Sequence, residues 1–149
     1  MSVIFFWVGK IYRTDAKEGR LDYCLNQKNS LIHDLKIGEH IFAFTRRSDG
    51  RYVLAADLVV AGKKINRPND DGYRYGQYNV WGDKQSSLYF DTLLGPDIEP
   101  LIRSLFPPSK HSKKNFPIGL SFQGKNGVKI LSSIAEQKLI DFSKKCPRI

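Results

Sequence analysis

The segment from Arg51 to about Val60 constrains the fold more than any other. Tyr52, Leu54, Ala56, Leu58 and Val60 alternate with Val53, Ala55, Asp57 and Val59, and both sets are largely apolar. A period of two with apolar residues on both faces predicts a central strand, covered on each side. The preceding segment, His40–Thr45, places Phe42 and Phe44 on one face and Ile41 and Ala43 on the other. Between the two, Ser48-Asp49-Gly50 supplies hairpin chemistry, because glycine accepts a positive φ. The chain opens on Val3-Ile4-Phe5-Phe6-Trp7-Val8, a continuous apolar run whose aromatic and β-branched content predicts a buried strand. Shorter strands are expected at Gln77–Trp81, Ser87–Asp91, Phe116–Phe122 and Val128–Leu131.

Three segments carry helical signals. In Ser30–Gly38, Leu31 and Leu35 lie four apart, Asn29 or Ser30 can cap the start, and Gly38 can end it. Asp97 can cap a helix whose apolar residues Ile98, Leu101, Ile102 and Leu105 follow the helical repeat, with Pro100 harmless in the first turn. Ser133-x-x-Glu136 reads as a capping box ahead of a stripe formed by Ala135, Leu139 and Phe142. Arg13–Arg20, Arg67–Tyr75 and the basic Pro107–Lys114 stretch read as loops. A chain of 149 residues without repeat or linker is one domain, residues 1–149. The expected class is α+β, a strongly curved, mostly antiparallel sheet flanked by about three helices.

Charge narrows the function. Lys and Arg number 24 against 15 acids, a net charge of +9, and the isoelectric point is near 9.6. Such an excess captures polyanions, and nucleic acid is the expected partner. No apolar run approaches the roughly 18 residues that span a bilayer, and no basic amphipathic helix suggests a membrane surface. Met1–Lys10 lacks a basic leader and a small-residue cleavage site, so a cytoplasmic protein is expected. Cys24 and Cys146 have no metal-ligand spacing; no metal or cofactor is expected, and free thiols are favoured over a Cys24–Cys146 disulfide. There is no P-loop, dinucleotide fingerprint, H-E-x-x-H or G-x-S-x-G. Cys24 with His33 or His40 and Asp22 has the residue types of a thiol site without a local signature, so the expectation is a protein that is not an enzyme.

Certain residues together resemble a family. An aromatic apolar strand, then Tyr23-Cys24-Leu25-Asn26, then Leu35-Lys36-Ile37-Gly38-Glu39 leading into Ile41-Phe42-Ala43-Phe44, is similar to the EVE and YTH domains of the PUA-like superfamily. EVE domains carry Lys-x-Gly-Asp before an apolar strand; here the acid is Glu39. Val53–Val60 occupies the place of the second hairpin strand, and Gly76-Gln77-Tyr78-Asn79-Val80-Trp81 resembles the YTH-type Gly-x-Phe-x-Val stretch ending near a Trp. The resemblance covers residues 3 to 92. It departs at Tyr23, where the family often has Trp, and nothing from Gly95 onward matches. It implies a PUA-like pseudo-barrel with a pocket for one modified base, such as methylated adenine in RNA or a modified base in DNA. Relatives stand at the front of modification-dependent restriction enzymes. No nuclease motif is present, so a partner nuclease chain or domain would do the cleaving.

A flipped base needs π-faces and a few polar groups for its edge. The expected base pocket comprises Trp7, Asp22, Tyr23, Asn26, Trp81 and Asp83, with Tyr23 and Trp81 facing one cavity. The competing reading makes Trp7 and Trp81 core residues and the polar three turn or cap residues. Arg46, Arg47, Arg51, Lys63, Lys64, Arg74, Lys110, Lys113 and Lys114 are the expected phosphate contacts. The alternative function is a general RNA-binding or protein-interaction domain with no preference for modified bases.

Overall fold

The computed structural model describes residues 1–107, 118, 122 and 127–149. In chain order the elements are β1 (Val3–Trp7), α1 (Gly9–Lys17), β2 (Cys24–Gln27), a 3-10 turn (Ser30–Ile32), β3 (His40–Arg46), β4 (Tyr52–Ile65), β5 (Tyr78–Gly82), β6 (Leu88–Tyr89), α2 (Glu99–Leu105), β7 (Val128–Ile130) and α3 (Ser133–Ser143). The strands form one sheet in the order β2-β5-β4-β3-β1-β7, with β6 paired to β4. β1 and β3 are parallel; every other pairing is antiparallel. The sheet curls into a half-barrel with three helices, the α+β curved-sheet class expected from the pattern.

β4 makes the curl possible. It pairs first with β3 and β6, then runs on to pair with β5. Its register slips once opposite Ala43/Phe44, leaving Ala55 as the extra residue, and again between Val60 and Gly62, leaving Ala61. Each bulge bends the strand and reverses which parity faces which side. Tyr52 and Leu54 therefore join one core, whereas Ala56, Leu58 and Val60, of the same parity, join the other. Beyond Ala61 the phase reverses again.

The two cores lie on the two faces. One combines Ile4, Phe42, Phe44, Tyr52, Leu54 and Phe90 with Ile98 and Ile102 at α2 and Ala135 and Leu139 of α3. The other combines Val3, Phe5, Ile41, Ala43, Ala56, Leu58, Val60 and Val80 with Ile32 and Leu35. Phe42 and Phe44 are wholly buried, and Phe44 packs edge-on against Phe122 with ring centroids 4.9 Å apart.

Several elements differ from the sequence expectation. The polar stretch read as a loop from Arg13 is largely helix: α1 starts at Gly9 with no side-chain cap and no acid in its first turn. It is held by Tyr12, a buried ring set edge-on to Trp7 at 5.1 Å. The helix expected over Ser30–Gly38 is a single 3-10 turn, capped where Asn29 Oδ1 accepts the Leu31 N–H at 3.0 Å. Lys63 of β4 donates to the carbonyls of His33 and Leu35, the first of which an α-helix over this segment would have used internally. The cap of α3 is Ser132, one residue before the expected one, its hydroxyl accepting from the Ala135 N–H at 3.1 Å. The cap position of α2 is Ile98, which has no side-chain cap; Asp97, the expected cap, stands one residue earlier and accepts from the Glu99 N–H at 2.9 Å. The strand expected at Phe116–Phe122 lies outside the described residues except for Ile118 and Phe122, both buried. Both cysteines are free thiols, Cys24 exposed and Cys146 buried. Among the described residues no helix is long and apolar enough to cross a membrane.

Candidate functional site

The chain turns sharply from β1 into α1 at Gly9, and the end of β3 packs directly against that turn. A Cβ at Gly9 would lie 2.3 Å from the Arg46 carbonyl oxygen, so only glycine fits. This close approach sets the first turn of α1 beside the β3–β4 hairpin and leaves an open cleft of about 510 Å³ between them. Phe6 and Val8 form its apolar side, and Lys10, Arg13, Arg46 and Arg47 its basic one. Lys10 and Arg13 are three apart on the helix and so share a face. Arg13 donates to the Arg46 carbonyl at 3.2 Å, and Arg46 Nε donates to the Gly50 carbonyl at 3.3 Å. Neither these two arginines nor Lys10 forms an ion pair with a described residue. The N–H groups of the first helical turn, which have no partner within the helix itself, add to the positive potential.

A smaller recess of about 210 Å³ adjoins the cleft, bounded by Tyr12, Thr45, the hairpin tip, Thr92 and Leu93. Trp7 stands behind Tyr12, and Thr45 is fixed by donating to the Trp7 carbonyl at 2.6 Å. Such a volume is below the usual range of small-molecule pockets, roughly 300–1,000 Å³, and suits one flat group. Tyr12, Lys10 and Arg13 were not among the site residues expected from sequence. The available signal was the spacing of Lys10, Arg13 and Lys17, which puts three cations along one helical face.

The six residues expected to form a base pocket divide between places. Trp7 and Tyr23 pack against the same core, with Tyr89. Tyr23 is the one non-glycine described at positive φ, +65°. A bulky residue there is strained. Tyr89 supports it: the Tyr89 hydroxyl accepts the Tyr23 N–H at 2.9 Å, and the two rings lie 5.0 Å apart. Burial pushes the Tyr89 phenol up to about 12. Trp81 does not join them. Val80 belongs to the core shared with Leu25 and Tyr23, and alternation sends Trp81 to the opposite face. Tyr23 and Trp81 therefore do not face one cavity, because strand parity separates them. Asn26 Oδ1 is occupied by the carboxamides of Asn66 at 2.8 Å and Asn79 at 2.7 Å. Asp22 accepts the Cys24 N–H at 3.2 Å, and Asp83 accepts from the Gln85 N–H and the Ser86 hydroxyl, which holds its carboxyl below the usual range. Asp22 and Asp83 shape their own turns, and Asn26 ties β2 to Asn66 and to Asn79 of β5.

The expected phosphate contacts divide as well. Arg46 and Arg51 are exposed at the hairpin. Arg47 is committed elsewhere: its guanidinium grips Asp49 with two hydrogen bonds and donates a third to the Leu93 carbonyl at 3.0 Å. The Asp49 carboxyl is lowered by that grip. Lys63 is occupied with the carbonyls noted above. Lys64 is exposed, and Arg74 lies over the Tyr75 ring at 4.6 Å. Lys110, Lys113 and Lys114 lie outside the described residues. Cys24 accepts from Asn79 Nδ2, His33 packs on Tyr78, and His40 bonds Asp57, so the thiol-site candidates are engaged separately. No group of three or more metal-ligating side chains occurs among the described residues.

Fold and site together define a curled-sheet α+β protein with a basic cleft at one end, opening onto an aromatic-backed recess. Comparison with protein families, curated proteins and solved structures finds no match to this chain.

Proposed function

We propose that the protein is a nucleic-acid-binding module whose backbone contacts are made in the cleft between α1 and the β3–β4 hairpin. The observation that carries this reading is the convergence of Lys10, Arg13 and Arg46, none ion-paired among the described residues, on one open cleft in a chain of charge +9. The adjoining recess supports a finer reading: a modified, flipped base enters it and meets Tyr12, with Trp7 behind. Flipping costs a few kcal/mol, and aromatic contact is a sequence-tolerant way to recover it. The likeness of residues 3–92 to EVE and YTH domains supports the same role in a PUA-like fold. The protein holds the strand, and a partner nuclease acts on it.

The test is binding of matched methylated and unmethylated oligonucleotides, DNA and RNA, at low and high salt. Affinity should fall steeply with salt, and one methylated member should bind more tightly than its twin. No binding at low salt, or a flat salt response, removes the nucleic-acid reading. Equal binding of every matched pair removes base reading alone and leaves a general binder.

A further inference from the structure

Trp81 lies on the face that carries α2 and α3, beyond the part those helices cover. The residue is 39% exposed. Its register partners are Cys24 on β2 and Gly62 on β4. The indole leans across β4: a Cβ on Gly62 would sit 2.2 Å from its Cζ2, 2.4 Å from Cε2 and 2.8 Å from Nε1. Gly62 is not among the residues at positive φ, so the backbone there does not require glycine. The missing side chain serves the ring, which rests on bare main chain.

The surroundings are basic and aromatic. Lys64 follows Gly62 by two residues on the same face of β4 and is exposed. Asn26 shares that face with Trp81, and Gly72 packs against its carboxamide, which draws the Arg67–Gly76 loop to the same side. The loop brings exposed Tyr73 and Tyr75, with the Arg74 guanidinium over the Tyr75 ring. Of the nearby acids, Asp70 accepts the Arg67 N–H at 2.6 Å and Asp83 is bonded within its own turn; Asp71 is exposed.

We propose that this surface is a second binding site, a stacking platform for single-stranded nucleic acid. An unpaired base lies on Trp81 while Lys64 and Arg74 meet the flanking phosphates. This rests on the nucleic-acid reading above but shares no residue with the cleft. Charge complementarity selects the occupant: an exposed ring between cations suits a polyanion that carries π-faces. Duplex keeps its bases stacked inside and cannot use the platform.

The experiment uses the 149-residue chain carrying Trp7→Phe, so that Trp81 alone reports, with unlabelled and end-labelled oligothymidylate and a duplex control. Single strand should quench Trp81 emission and duplex should not. By anisotropy, Trp81→Ala in the native background should bind single strand about tenfold more weakly with duplex affinity unchanged. Gly62→Val, which displaces the indole, should behave the same way. Quenching should survive Arg13→Ala with Arg46→Ala at raised oligonucleotide concentration. Undiminished single-strand binding by Trp81→Ala, or quenching by duplex equal to that by single strand, overturns the platform while the cleft reading stands. Absence of binding to any oligonucleotide overturns both.

Discussion

Two adjacent arginines at the β3–β4 hairpin should behave differently when truncated. Arg46 lines the cleft with Arg13, and neither is ion-paired among the described residues. Arg47 also borders the cleft, but its guanidinium is spent on Asp49 and the Leu93 carbonyl, 46 residues away. Each phosphate contact on duplex DNA contributes about 0.9 to the slope of log K against log salt. Arg13→Ala with Arg46→Ala should therefore flatten that slope by about 1.8. Over a fourfold rise in salt, the parent should lose about 12-fold more affinity than the double variant. Arg47→Ala should leave the slope unchanged. It should instead lose the Leu93 hydrogen bond, worth about 1 kcal/mol, and lower Tm by about 2–4 °C for a chain of this size. Anisotropy titrations at several salt concentrations, with thermal melts of the same proteins, read both quantities. The reasoning fails if Arg47→Ala flattens the slope by about one unit while Arg46→Ala leaves it intact.

The His40 Nδ1–H donates to Asp57 Oδ1 at 2.7 Å; that hydrogen bond, with the charges of Asp57 and Glu136, raises the imidazole above its ordinary value of 6.5 against the pull of burial. A raised folded-state value contributes stability that is full below 6.5 and lost as pH rises through the elevated value, so urea midpoints should fall across that window and His40→Gln should flatten the fall. Asn26→Ala strips an acceptor from two carboxamides, and denaturant unfolding should show a loss of about 1–3 kcal/mol. Ultraviolet titration should find one phenol ionising near 12, absent in Tyr89→Phe; a spectrum unchanged by that substitution would contradict the buried Tyr89.

The frame of the sheet was legible because burial on both sides demands apolar residues at successive positions, as β4 and β3 show. The phase along β4 was not. Ala55 and Ala61 are small enough to be paired residues or bulges, and the chain gives no sign which. Helix α1 escaped notice because one buried ring, Tyr12, anchors it and no capping side chain announces it. The separation of Tyr23 from Trp81 had a readable clue in Val80, whose apolar neighbour position implied that Trp81 turned the other way. The basic character of the site was visible as composition, but its division was not. Asp49 stands two residues from Arg47, but the Leu93 carbonyl and the carbonyls that Lys63 bonds lie far away in sequence, so which cations remain available follows only from the folded chain.

The pairing of Val3 with Ile130 bears on how the protein is made. On a ribosome adding about 5–20 residues per second, β1 emerges before β7 and waits roughly ten seconds for it. Until then Val3–Trp7 has only its parallel neighbour β3 on one edge, and its other edge is an open template of unpaired backbone. β6 waits too: Phe90 bridges to Arg148, and the Tyr89 carbonyl accepts the Ile149 N–H at 3.1 Å. A nascent chain stalled before residue 128 thus exposes its most apolar segment as a sticky edge, where a holdase chaperone would bind. The arrival of β7, more than any local helix or hairpin, commits this sheet to its final form.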